Sequence, residues 1–136
     1  QAQGVSHVPQ DVTLPAAFDG PVNPVATLSG VDGSYPAWAR GAGTTANGFV
    51  VSAEEDASLD AEVQHIGEPV DYFVFDDVAA LSSAPLRPVL ETLTVELTNN
   101  ARTLTLSQGY DNPVVIGFVA SENSVDPVNV LVRDVT

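Results

Sequence analysis

Val70-Asp71-Tyr72-Phe73-Val74-Phe75 decides the fold class: β-branched and aromatic residues dominate it, and apolar side chains stand at both parities of its two-residue period. It reads as a central strand of a sandwich. Outward from it, the same period recurs. Leu93, Val95 and Leu97 alternate with Thr92, Thr94, Glu96 and Thr98, and Leu104 and Leu106 alternate with Thr103 and Thr105. Thr98-Asn99-Asn100-Ala101 between those runs has turn chemistry, because Asn tolerates positive φ, so the pair reads as a β-hairpin. Further strands are expected at Val12 to Leu14, Val22 to Leu28, Ala37 to Gly41, Gly48 to Glu54, Glu62 to Ile66, Pro113 to Ser121 and Val128 to Val135. Ten prolines and ten glycines interrupt every stretch in which a long helix would otherwise fit.

The chain has 136 residues, 44% of them hydrophobic, enough for one domain or two small ones with a real core. Eighteen acidic residues against four basic ones give a formal charge of −14. Such a surface repels phosphate backbones and anionic membranes, which argues against nucleic-acid binding. All four basic residues are arginines, and there is no lysine, cysteine or methionine. Disulfides, thiol nucleophiles and Cys-ligated metals are thereby excluded. Acidity without lysine suits a saline extracellular setting, where screening removes self-repulsion. No apolar stretch is long enough to cross a membrane, and no n-region and h-region precede the chain, so a processed, secreted protein is expected.

Two segments repeat one another. Val12-Thr-Leu-Pro-Ala-Ala-Phe18-Asp19-Gly20-Pro21-Val22 aligns without a gap with Leu104-Thr-Leu-Ser-Gln-Gly-Tyr110-Asp111-Asn112-Pro113-Val114. The second copy ends before any counterpart of Gly48-Phe49. The expected organisation is therefore a complete antiparallel sandwich over residues 1–77, a linker over 78–91 containing Pro85 and Pro88, and a partial second sandwich over 92–136. An unfinished sandwich exposes an apolar face and open strand edges, to be covered by further chain, by a strand-donating subunit, or by packing onto the first sandwich.

At these residues the chain resembles the H-type lectins and the related repeats of bacterial surface proteins. The matching elements are Phe18, Pro21-Val22, Arg40, Gly48-Phe49 and Val70-Asp71-Tyr72-Phe73-Val74, with Tyr110, Pro113-Val114 and Arg133-Asp134-Val135-Thr136 in the partial copy. His65-Ile-Gly-Glu68-Pro-Val-Asp-Tyr72 is similar to a His-x-x-Glu-x-Val-x-Tyr segment of the bacterial repeats. The resemblance implies a six-stranded antiparallel sandwich. In the lectins it also implies trimers that bind galactose-type sugars between subunits. Val51-Ser52-Ala53-Glu54-Glu55-Asp56 departs from the lectin sugar site, which has an aromatic and a His there; only Arg40 stands where a sugar-contacting arginine is expected.

From the residues themselves, Tyr35, Trp38 and Arg40 form the best sugar-binding set, since an aromatic face stacks on a pyranose and a guanidinium bonds hydroxyls. Trp38 and Arg40, two apart on a strand, share a face; packing of Trp38 in the core is the alternative. His65 and Glu68 are candidate ligand contacts or a surface pair near a strand end, sharing a side only if a bulge or turn lies at Gly67. Glu54, Glu55 and Asp56, with further carboxylates at Asp60, Glu62, Asp71, Asp76 and Asp77, read as salt-adapted surface acidity or as oxygen ligands for calcium, the one cofactor considered. Asp32-Gly33-Ser34 and Asp19-Gly20 read as turns. No nucleophile elbow, Walker loop or HExxH occurs, and no acid, base and nucleophile set can be assembled, so an enzyme is not expected. The expectation is an adhesive module of a secreted or surface protein, with a glycan or cell-surface ligand. The alternative is a protomer of an extracellular filament or layer that self-associates by strand sharing.

Overall fold

In a computed structural model, the described residues are 1–58, 61–75, 90–107, 109–124 and 126–135. The protein is all-β among these residues. Six strands, β1 (Ala2–Val5), β2 (Gln10–Thr13), β3 (Asn23–Leu28), β4 (Ala37–Thr45), β5 (Gly48–Glu55) and β6 (Glu68–Phe75), form two three-stranded antiparallel sheets. One sheet has the order β1-β6-β3 and the other β2-β5-β4, so β6 and β5 are the central strands. The chain crosses between sheets after β1, where the Ser6 carbonyl accepts from the Ala53 amide at 2.8 Å.

Register explains which side chains meet. Val12 lies opposite Phe49, while Pro24, Ala26 and Leu28 lie opposite Val74, Tyr72 and Val70. Because directly opposed residues share a face, these rows form the two inner surfaces. Val5, Val12, Val22, Phe49, Val51 and Val70 are buried between them, and Phe49 meets Tyr72 edge to face with ring centroids 5.1 Å apart. The opposite parity of β6 faces outward: Asp71 and Phe73 are exposed, the latter 72%. The central position of β6 is as its sequence reads, but burial on both faces is not; a three-stranded sheet has only one partner layer.

Two bulges adjust this frame. Ala2 pairs with Val70 but Val5 with Glu68, which puts one extra residue on β1. Gly4 takes it up at φ +66, a conformation that costs a side chain dearly. Gly67 sits against it, where a Cβ would fall 2.9 Å from the Gly4 Cα. The second bulge, between Gly41 and Gly43 on β4, shifts the β4–β5 register by one.

The sequence expectations fail at three places. β1 carries too few apolar residues to be read as a strand, yet forms because Ala2 and Val5 are buried against β6. Glu62 to Ile66 is a loop, whose one buried residue is His65. The partial second sandwich is not seen: residues 90–107, 109–124 and 126–135 contain no assigned strand. Around Asn99-Asn100 the chain does turn back. Ser107 and Tyr110 donate to the Glu91 carboxylate, and Arg102 donates to the Glu96 carbonyl at 2.9 Å. Each of these bonds has a side chain as donor or acceptor and none belongs to a ladder, and alternation alone supplies a face without a layer to cover it. Leu104 and Val114 are 42% and 88% exposed, where their repeat counterparts Val12 and Val22 are 7% and 2%. The expected linker lies outside the described residues except for Leu90 and Glu91.

Part of the C-terminal segment instead lies on the first sandwich. The Gly41 amide of β4 donates to the Val119 carbonyl at 2.7 Å, and Phe118 packs against the core. Phe49→Ala should therefore cost about 3–5 kcal/mol in chemical denaturation, whereas Phe73→Ala should change stability by less than about 0.5 kcal/mol.

Candidate functional site

The bulge at Gly4 lets the loop before β6 approach closely, and His65 is carried inside with it. Its carbonyl accepts from the His7 amide at 3.4 Å and lies 3.1 Å from the His7 Nδ1. Its ring is wedged between two carboxylates: Nδ1 is 3.4 Å from Glu55 Oε2 and Nε2 is 3.3 Å from Glu68 Oε1. His65 and Glu68 thus do share a side, with close backbone approach at Gly67, but they are buried rather than a surface pair.

Glu68 organises the neighbouring loop as well. Its Oε1 accepts from the amides of Asp32 and Gly33, each at 2.7 Å. The Gly33 amide, against the opposing effect of burial and with help from the Asp32 amide and His65, holds the Glu68 carboxyl below its ordinary range. Its other oxygen, Oε2, is buried and has no hydrogen-bond partner. An orphan of that kind is costly to keep and calls for an explanation.

Glu68 lines a cavity of about 310 Å³ between the ends of β3 and β4, together with Leu28, Gly30, Tyr35, Trp38 and His65. A neighbouring cavity of about 410 Å³ is lined by His7, Ser34, Tyr35, Glu55, Glu62 and His65. Gly33, Tyr35 and His65 belong to both. Four of the five residues expected to contact a ligand, Tyr35, Trp38, His65 and Glu68, therefore meet at one cavity.

Arg40, the fifth, does not line it. The bulge in β4 sets Trp38 opposite Glu54 and Arg40 opposite Ser52, so all four side chains share the outer face of that sheet. Arg40 pairs with Glu54 and donates from Nε and Nη2 to the carbonyls of Ser121 (2.9 Å) and Ser124 (3.0 Å). Trp38 Nε1 lies 2.9 Å from both Glu54 Oε2 and the Val128 carbonyl, and the Val128 amide donates to the same carboxylate oxygen. The arginine is 4% exposed. It fastens the C-terminal segment to the sandwich by its backbone.

The three residues proposed for calcium are not brought together. Glu54 turns outward to Arg40 and Glu55 inward to His65, as alternation along β5 requires. Asp56 caps its own turn, with Oδ1 accepting from the Ser58 amide at 2.9 Å; that bond lowers the Asp56 pKa. Among the described residues, no group of three or more His, Asp or Glu side chains is arranged to hold a metal ion. No helix there is long and apolar enough to cross a membrane. Asp60, Asp76 and Asp77 lie outside the described residues.

Sequence reasoning missed Glu54 as the partner of Arg40 and Glu55 as that of His65. An unbulged β4–β5 hairpin would have set Trp38 opposite Glu55; Gly41 and Gly43 inside the strand were the signal that could have suggested the bulge. Comparison with protein-family models, with curated proteins and with solved structures finds no match.

Two outcomes follow for stability. A carboxyl whose folded pKa is depressed stabilises the fold above its unfolded pKa, and the contribution is lost as pH falls through the folded value. The Tm of the wild-type chain should accordingly drop more steeply on acidification below the glutamate range than that of Glu68→Gln, as scanning calorimetry would show. Arg40→Ala strands Glu54 beneath the C-terminal segment; it should cost about 3 kcal/mol and speed proteolysis between residues 118 and 128.

Proposed function

We propose that the chain is a non-enzymatic, extracellular adhesive module that binds a saccharide in the cavity lined by Tyr35, Trp38, His65 and Glu68. One observation carries this reading: residues from separate loops and strands, Tyr35, Trp38, His65 and Glu68 among them, converge on a cavity of about 310 Å³. Ligand sites combine such concavity with aromatic walls and a few fixed polar atoms. The resemblance to H-type lectins supports the same ligand class, although the position of the site differs from the one it implies, because Arg40 is taken up by Glu54 and the C-terminal segment. The acidic, lysine-free composition agrees with a saline extracellular setting.

A glycan array with purified protein, run with and without calcium, tests the reading. Binding to a defined set of sugars that falls by about tenfold or more in Tyr35→Ala and in Trp38→Ala is the expected result. No binding to any sugar would remove it.

A second reading, self-association as an extracellular structural protomer, is favoured by the apolar residues that the C-terminal segment leaves uncovered. Val114, Ile116 and Leu131 are 88%, 68% and 84% exposed, and faces of this kind mark contact surfaces. Light scattering on the full chain should then show mass rising with concentration, and Ile116→Asp should suppress the rise. A strict monomer at high concentration would refute it.

A further inference from the structure

We infer that the outer face of β4 and β5 around Arg40 is a peptide-binding site that reads main chain, and that copies of this chain join by exchanging residues 118–128 through it; the inference rests on the self-association reading above and gives it a site. The first ground is what the site recognises. Arg40 donates to the carbonyls of Ser121 and Ser124, Trp38 Nε1 lies against the Val128 carbonyl, and Glu54 Oε2 accepts from the Val128 amide. Each of these contacts is to backbone; a side-chain contact, Ser52 Oγ to Glu122 Oε1, is longer at 3.4 Å. The clamp is built into the sandwich, since Arg40 is 4% exposed and held by Glu54, whose side chain is 14% exposed. Donors and an acceptor fixed in this way select a backbone path at little ordering cost. The same segment of a second copy offers the same path.

The second ground is the edge. β4 ends its sheet, in the order β2-β5-β4, and an edge strand presents backbone groups on which an extended chain can pair. The Gly41 amide is spent in this way on the Val119 carbonyl, at 2.7 Å. A Cβ at Gly41 would fall 2.9 Å from the Phe118 ring and 3.0 Å from the Ala120 Cα, so the close approach depends on a glycine. The six strands pair among themselves without help from the segment. It is an added piece on sheets already formed, and such a piece can be exchanged without opening them.

The third ground is what the segment lacks on its own sandwich. Phe118 packs against the core, but Val114 and Ile116 before it and Leu131 after it are exposed. Gly117 and Val130 lie against each other, so these apolar residues flank one closed loop. A second copy supplies a layer for that flank, and exchange keeps every contact of the clamp while adding it. Residues 76–89 lie between β6 and the described part of the segment, and a chain of that length spans at most about 45 Å, which leaves room to dock on another copy.

Complementation between two variants of the full chain tests this. Arg40→Ala breaks the clamp and keeps the segment; Phe118→Asp breaks the segment and keeps the clamp. Light scattering reads the mass of each alone and of their equimolar mixture, in concentrated sodium chloride, where repulsion between two acidic chains is screened. Wild type should gain mass with concentration, and each variant alone should stay monomeric. The mixture should reach the mass of two chains, the Arg40→Ala copy lending its segment to the clamp of the other. Gly41→Val, which obstructs the same approach, and Val128→Pro, which removes the amide that Glu54 accepts, stand in for either variant that fails to fold. Association that survives in either variant alone would place it on the apolar flank, overturning the exchange and leaving self-association standing. A mixture that stays monomeric while wild type associates has the same meaning. A wild type that is monomeric throughout would overturn both.

Discussion

The carboxylate of Glu68 ties three pieces of chain together. It stands at the first residue of a central strand, holds the Asp32-Gly33 amides of the loop between β3 and β4, and meets a His65 ring that is itself held by Glu55 of the opposite sheet. Each partner is short of something without it: two amides of a non-helical, non-strand loop, and one ring nitrogen of a buried imidazole. A buried network of this kind rigidifies its surroundings when satisfied and is costly when partly satisfied. The oxygen it leaves without a partner is Glu68 Oε2.

A second network works on the outer face and has a different task. Trp38, Arg40 and Glu54 hold carbonyls and an amide of residues 121–128, so the C-terminal segment is recognised by its backbone. A planar guanidinium with several fixed donors suits that work better than a lysine would. The arginine at the position that the lectin resemblance singles out thereby serves the fold's own chain. A residue's place in a family pattern identifies where it sits in a fold more safely than what it touches.

Most of the sandwich was legible in the chain. Residue patterning found β3, β5 and β6 within one or two residues of their observed bounds and the first part of β4, which runs four residues past the expected Gly41, beyond its bulge. Val12 to Leu14 located β2 one or two residues late. What alternation could not reveal was anything that depends on register: the Gly4 bulge that lets His65 turn inward, and the β4 bulge that pairs Trp38 with Glu54. It also overreached. Leu93 to Leu97 and Leu104 to Leu106 alternate as well as any strand here, yet a ladder needs a partner and a face needs a layer, and among the described residues neither is formed over them. Of the site, Tyr35, Trp38, His65 and Glu68 were visible as residue types. Their convergence was not, since Asp32-Gly33-Ser34 read only as a turn, with no sign that its amides would reach Glu68.

Amide hydrogen exchange at Asp32 and Gly33 measures the central constraint directly. Both amides should be strongly protected at neutral pH, and both should lose protection together as the Glu68 carboxyl takes up its proton. Exchange at the rate of an open loop at neutral pH, or protection of the two that is independent of that titration, would contradict the organising role given to Glu68.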